Sequence, residues 1–130
     1  MVCIDTDILI DFLRNESTAV KKINELKDKN VELSTTTINS FELLKGALRS
    51  KQKDAKEGTN KLLNNLEILD FNFNASEEAA KIFEDLRLKG RLIDPLDLLI
   101  AAIVITNNET LMTRNVKHFE RIKTLKLEDF

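Results

Sequence analysis

Apolar residues in this chain follow two alternating rhythms, short unbroken runs and repeats every three or four positions, which mark buried strands and amphipathic helices respectively. Val2, Cys3 and Ile4 form a run, and Ile8, Leu9, Phe12 and Leu13 then recur at helical spacing. Asp5 therefore stands at a strand end. Ser17 is placed to cap a helix carrying Val20, Ile23 and Leu26, with Asn30 available to end it. A second strand is expected near Val31 to Ser34. Ile38, Phe41, Leu44 and Leu48 predict a helix whose apolar stripe leaves Glu42 at its edge. A more polar helix over Lys56 to Leu66, a third strand over Glu67 to Phe71, and a helix capped by Ser76 with Ala79, Phe83 and Leu86 facing inward come next, Gly90 lying just past its end.

Asp97 to Ile105 fits strand or helix by periodicity alone. Pro95 at a first-turn position and the Ala101-Ala102 pair favour a buried helix. Thr110 to Thr113 and Thr124 to Leu127 are the last strand candidates, separated by a turn or short helix through Asn115 to Phe119. Strands that alternate with helices imply an α/β fold, a parallel sheet covered on both faces.

Composition narrows the class. The 130 residues suit one domain spanning residues 1–130, and 42% hydrophobic with 32% charged residues describe a chain that folds rather than a disordered one. No repeat or linker divides it. The longest uncharged apolar stretch, Leu98 to Ile105, falls well short of the ~18 to 20 residues that span a bilayer, so no membrane role and a cytoplasmic location are expected. Cys3 is the only cysteine and His118 the only histidine, which leaves neither a disulfide nor a structural zinc set. The net charge of -2 is opposite to that of nonspecific nucleic-acid binders, so any such contact must be local. Charge is in fact segregated: Asp5, Asp7 and Asp11 precede the first basic residue, Arg14, while Lys45 to Lys61 holds six Lys or Arg against Asp54 and Glu57.

Ligands of open parallel sheets bind outside the carboxyl ends of the strands. Asp5, Glu42 and Asp97 all fall at such addresses, and Asn115 follows the strand that ends at Thr113. Three carboxylates drawn to one crevice repel one another unless a divalent cation or a proton neutralises them. Oxygen donors without thiols or imidazoles indicate Mg2+ or Mn2+. Each position also has a purely structural role to weigh. Asp5 and Asp7 suit the cap of the first helix, Asp94 with Pro95 and Asp97 reads as a capping box, Glu42 is spaced to pair with Lys45, and Asn115 is a natural turn residue. His118 has no partner at metal-ligand spacing and reads as a surface or packing residue.

Four linked segments resemble PIN-domain ribonucleases, and their order, spacing and chain length resemble the VapC toxin branch: Val2-Cys3-Ile4-Asp5-Thr6-Asp7-Ile8-Leu9-Ile10-Asp11, Phe41-Glu42-Leu43-Leu44-Lys45-Gly46, Asp94-Pro95-Leu96-Asp97-Leu98-Leu99-Ile100-Ala101-Ala102, and Thr113-Arg114-Asn115-Val116-Lys117-His118-Phe119. The resemblance implies a three-layer α/β/α domain around a mostly parallel sheet of four to five strands. It also implies a Mg2+- or Mn2+-dependent endoribonuclease, the toxin of a type II toxin-antitoxin pair, with an RNA substrate, a cognate VapB-type antitoxin and a homodimeric state. Carried over by position, Asp5, Glu42 and Asp97 match the family's three strongest acidic positions, and Asp5 and Asp97 are the expected metal ligands. Asn115 stands where many members have a fourth aspartate, and an amide cannot attract a second cation as a carboxylate does. Thr6 and Thr113 match hydroxyl positions that hold carboxylates or water, and Asp7 is a further acidic candidate. Arg114, Lys45 and Arg49 are candidates for RNA phosphates.

Two other functions fit parts of the pattern. A catalytically silent module of the same fold would bind an antitoxin-like protein or RNA without cutting. Asp5-Thr6-Asp7 also fits the two-aspartate opening of phosphatases with an aspartyl nucleophile, which leaves Glu42 without a role.

Overall fold

The computed structural model describes residues 1–130. The elements run β1 (Val2–Ile4), α1 (Thr6–Leu13), α2 (Ser17–Asp28), β2 (Leu33–Thr36), α3 (Thr37–Arg49), α4 (Ala55–Asn64), β3 (Glu67–Leu69), α5 (Phe73–Leu88), α6 (Pro95–Thr106), β4 (Thr110–Thr113), α7 (Val116–Phe119) and β5 (Lys126–Asp129). All five strands are parallel, in the order β3-β2-β1-β4-β5.

Alternation along the central strands builds the three layers, because successive strand side chains point to opposite faces. Cys3 and Leu111 join the core shared with α5 and α6, whereas Val2, Ile4 and Met112 join the core of α1, α2 and α3. Helix α6 is buried on nearly every side through Leu98 and Ile100 to Val104, which explains why its sequence shows no apolar stripe. Four helices end on a residue in the left-handed backbone region: Asn15, Asn30, Gly90 and Asn108, with φ between 54° and 64°. In each case the next residue's N–H reaches back to the last helical turn, as in Val31 to Leu26 and Glu109 to Val104.

Several local expectations shift. The strand expected at Val31 begins at Leu33, and the last strand lies two residues later than the Thr124 to Leu127 run. Glu16, not Ser17, caps α2, since its two carboxylate oxygens accept from Thr18 N and Ala19 N at 2.9 Å each. Asn72 caps α5 through Ala75 N, so the helix starts a turn before Ser76, whose hydroxyl donates to the Phe73 carbonyl. Phe83 faces solvent. In α3 the inward positions are Asn39 and Leu43, and the stripe read from Phe41 and Leu48 is exposed by 53% and 70%.

The chain turns from β1 to β2 on one side and reaches β4 on the other, which makes the gap between β1 and β4 the topological switch point. Side chains leaving the carboxyl ends of those two strands face one crevice.

Candidate active site

Asp5 is the first residue past β1 and the cap of α1, so its helix-capping and site roles are the same geometry. Its Oδ1 accepts from Thr6 N at 2.9 Å and from Asn39 Nδ2 at 3.2 Å, and its Oδ2 accepts from Thr113 Oγ1 at 2.7 Å. The residue is 4% exposed. Burial pushes its carboxyl above the usual range, and the three hydrogen bonds oppose that rise by favouring the anion.

A directed chain of hydrogen bonds runs into this carboxylate from α3. Asn39 forms a capping box with Thr36, its Oδ1 accepting from Thr36 N at 3.2 Å and from Thr36 Oγ1 at 2.7 Å. Because Thr36 N can only donate, the amide orientation is fixed and Nδ2 must point at the site. There it donates to Thr6 Oγ1 at 2.8 Å as well as to Asp5, and Thr6 Oγ1 in turn donates to Glu42 Oε1 at 2.7 Å. Asn39 is fully buried. It is a site residue that the sequence reading passed over, although Thr36 and Asn39 at the ends of a T-x-x-N step before a helix carried the signal.

Glu42, Asp97 and Asn115 line one crevice of about 560 Å3, together with Lys45, Asp94, His118 and Arg121. Asp94 caps α6 by accepting from Leu96 N at 2.8 Å, with Pro95 at the first helical position, which leaves Asp97 in the first turn facing the acids. Burial, then the charges of Asp5, Asp94, Glu42 and Asp7, push the Asp97 carboxyl up to about 6. Burial also raises Glu42, the Thr6 hydroxyl opposing it. Asn115 is tied in through its backbone, whose N–H donates to Thr113 Oγ1 at 3.0 Å.

Two expected residues do not line the crevice, although Asp7 is near enough for its charge to raise Asp5, Glu42 and Asp97. Asp7 is exposed in the first turn of α1 and does not cap the helix, since Asp5 already does. Arg114 pairs through Nη2 with Asp11 at 2.9 Å and Glu16 at 3.6 Å and lies over the Phe130 ring at 4.3 Å, so it fastens the C-terminus to α1 and its charge is shared with two carboxylates. Lys45 does not ion-pair with Glu42; its ammonium lies 5.3 Å from the Phe41 ring centre.

The acids and Asn115 offer the crevice oxygen and amide ligands, and His118, the one imidazole on the lining, has no second histidine or cysteine beside it. No three carboxylates close into a ready-made cage. That open arrangement fits Mg2+, which keeps several of its waters and takes only one or two carboxylates from a protein. Asp5 raises both Glu42 and Asp97, and Glu42 raises Asp97, a repulsion that the same positive charge would relieve.

The PIN domain family model matches residues 2–125. Ribonuclease VapC2 of Rickettsia felis is 33% identical over 98% of this chain and 96% of its own length, and ribonuclease VapC1 of Methanocaldococcus jannaschii is 30% identical over 98% and 85%. Among solved structures, VapBC2 from Rickettsia felis bound to a DNA fragment from their promoter contains a chain that superposes with a TM-score of 0.90 at 31% identity, covering 100% of this chain and 99% of that one.

Proposed function

The chain belongs to the PIN-domain family, and from that premise we propose that it is an endoribonuclease dependent on Mg2+ or Mn2+, the toxin component of a toxin-antitoxin pair acting in the cytoplasm. The observation that carries this is the meeting of Asp5, Glu42 and Asp97 at the switch point of the sheet: Asn39 and Thr6 link Asp5 to Glu42, Thr113 holds Asp5, and Asp97 lies near enough to feel the charge of both. Relatives named as VapC ribonucleases support the activity, and the likeness to VapBC supports an antitoxin partner.

Asp5 and Asp97 would hold the cation. Bound there, it would neutralise charge on the nonbridging phosphate oxygens, activate water and ease departure of the leaving oxygen. Glu42 has one oxygen fixed by Thr6 and the other free to orient the attacking water and take its proton, a role its raised proton affinity suits. Thr113 fixes Asp5 while receiving the Asn115 N–H, so the loop after β4 keeps its place against β1. The Asn115 amide positions water or substrate without adding a charge, which argues for one cation rather than two.

The phosphatase alternative needs Asp7 itself on the crevice, and Asp7 is exposed and absent from its lining, while Glu42 is left without a role. The silent-module alternative rests on Asn115 and is separated by turnover. Purified, antitoxin-free protein is expected to make discrete cuts in a structured-RNA pool in Mg2+ or Mn2+, and Asp97→Asn to make none. Two folded, equally inert proteins would leave the silent module standing.

Partners follow from exposed apolar surface. A groove of about 450 Å3 between α1, α3 and α4, with Ile10, Leu13, Leu43 and Ala47 on its walls and Glu42 at its rim, suits an apolar antitoxin segment leading to the acids. Phe41, Leu48, Phe73, Phe83 and Leu88 lie outside it, all exposed, and suit a homodimer contact. A monomer by light scattering would sink the dimer.

A further inference from the structure

We infer that Arg121, backed by Lys45 and His118, forms a subsite for an RNA phosphodiester next to the bond being cut. The inference rests on the nuclease reading and says where the substrate chain runs once it leaves the acids.

Arg121 follows α7 and reaches into the crevice shared with Glu42, Asp97 and Asn115. Its Nη1 donates to the Leu92 carbonyl at 3.0 Å, which anchors one edge of the guanidinium. Its Nε is buried and has no acceptor. No carboxylate lies within ion-pair distance of it, although Glu42, Asp94 and Asp97 line the same cavity. That Nε is closed to solvent, so an incoming phosphate would meet the unpaired Nη2, and a guanidinium left with one neutral acceptor calls for an anionic one there. Arg114 differs in that its charge is already matched by Asp11 and Glu16, whereas Arg121 has no carboxylate partner.

The chemistry of the missing acceptor is set by the neighbours. Lys45, one turn from Glu42 on α3, makes no ion pair and His118 no side-chain hydrogen bond, so the crevice lining presents unused donors beside the acids. A phosphate's several oxygens match a planar fork of N–H groups better than any neutral group does. Leu92, Ile93 and Leu96 complete the lining and offer a sugar or base an apolar surface. The cavity volume lies within the ~300 to 1,000 Å3 of ordinary ligand pockets. Acids for the cation and bases for the adjoining phosphate within one crevice would let a chain with net charge -2 hold a polyanion locally.

The test uses a fluorescein-labelled, mixed-sequence single-stranded RNA, with Asp97→Asn as the uncut background and anisotropy read across a salt series. Adding Arg121→Ala is expected to weaken binding about tenfold, the scale of one charged hydrogen bond, and to reduce the magnitude of the salt slope by about 0.7, one phosphate contact on a single strand. Arg121→Lys should restore the slope because it keeps the charge, though it loses the Leu92 anchor. Unchanged affinity and slope in Arg121→Ala would overturn the subsite, as would an Arg121→Lys that fails to restore the slope. If the native protein cuts RNA yet the arginine variants bind alike, the subsite alone fails. If it neither cuts nor binds RNA, the nuclease reading fails and the subsite with it.

Discussion

Asp5 and Glu109 lie at opposite ends of the same parallel strands, and each is an acid buried against strand hydroxyls, 4% and 3% exposed. Asp5 receives three hydrogen bonds, from Thr6 N, Asn39 and Thr113. Glu109 receives one, from Ser34 Oγ at 2.6 Å, and its Oε2 has no partner. Burial raises both carboxyls. At Asp5 three donors oppose the rise, whereas at Glu109 the Ser34 hydroxyl and the chain's amino terminus work against added repulsion from Glu67 and Glu32. Cys3 lies on the strand between them, and burial, then the charge of Glu109, push its thiol far up and leave it unreactive. Burial alone therefore does not make a functional acid; the number and aim of the donors decide whether the anion is kept ready for a cation.

Removing the charge at the well-satisfied end should give the largest effect. Asp5→Asn keeps the shape and still caps α1, so its melting temperature should stay close to that of the native protein. RNA cleavage should fall by on the order of a thousandfold, as when one electrostatic contact to a transition state is lost. Full metal-dependent cleavage by Asp5→Asn would break the comparison outright.

Taking away a donor rather than the acid comes next. Asn39→Ala leaves Asp5 Oδ1 with the Thr6 N–H alone and frees the Thr6 hydroxyl that orients Glu42. Activity should drop by about 10- to 100-fold, the usual cost of losing a group that orients a metal-binding side chain. Stability should fall by about 1 to 3 kcal/mol from the polar groups left unmatched. Because a merely structural loss would leave the Mg2+ dependence alone, the concentration of Mg2+ giving half-maximal cleavage must also rise; if it does not, Asn39 supports the fold and not the site.

That residue also marks where sequence reasoning stopped. The strand-helix alternation, the acids at strand ends and the buried α6 were legible because apolar runs, Pro95 and the isolated Asp5, Glu42 and Asp97 each leave a local mark. Asn39 leaves one too, but its capping box with Thr36 explains it completely at short range, and only the fold shows that its other amide face meets Asp5, 34 residues away. Arg114 shows the opposite limit. Its place beside Asn115 suggested substrate, and nothing local reveals that Asp11, Glu16 and the terminal Phe130 converge on it. The apolar stripe of α3 misled for a related reason: Phe41 and Leu48 have the period of a core face, but the inward positions belong to Asn39 and Leu43. Periodicity reports that a face is apolar and says nothing of what covers it.

The poorly satisfied end predicts a smaller change of opposite sign. The raised carboxyl of Glu109 means the folded chain holds a proton there that the unfolded chain releases, so the residue's contribution to stability is lost as pH rises from the ordinary glutamate range through the folded value. Glu109→Gln removes that loss while keeping the acceptor for Ser34. Above that range it should be more stable than the native chain by on the order of 1 kcal/mol, with cleavage unaltered. Denaturant unfolding at neutral and acidic pH measures the difference, and a destabilised Glu109→Gln at neutral pH would mean that the charge is matched after all.

The smallest effect on stability belongs to Asp97, which stands between the two extremes: half-buried, uncapped by any donor, and raised from 3.8 to about 6 by burial and by its acidic neighbours. In protein stripped of divalent ions by a chelator, the native state binds more protons than the unfolded state between those two values. Stability must then decline as pH rises across that window and level off above it. Water reaches this carboxylate and screens it, so the decline should amount to less than about 1 kcal/mol. Asp97→Asn removes that share of the slope, together with whatever relief it gives Asp5 and Glu42. Mg2+ added at neutral pH should stabilise the native chain and not the variant, because only the ionised carboxylate gains from the cation. Unfolding curves of the two proteins that run parallel across the window, with the same response to Mg2+, would show that Asp97 does not share the charge of the crevice.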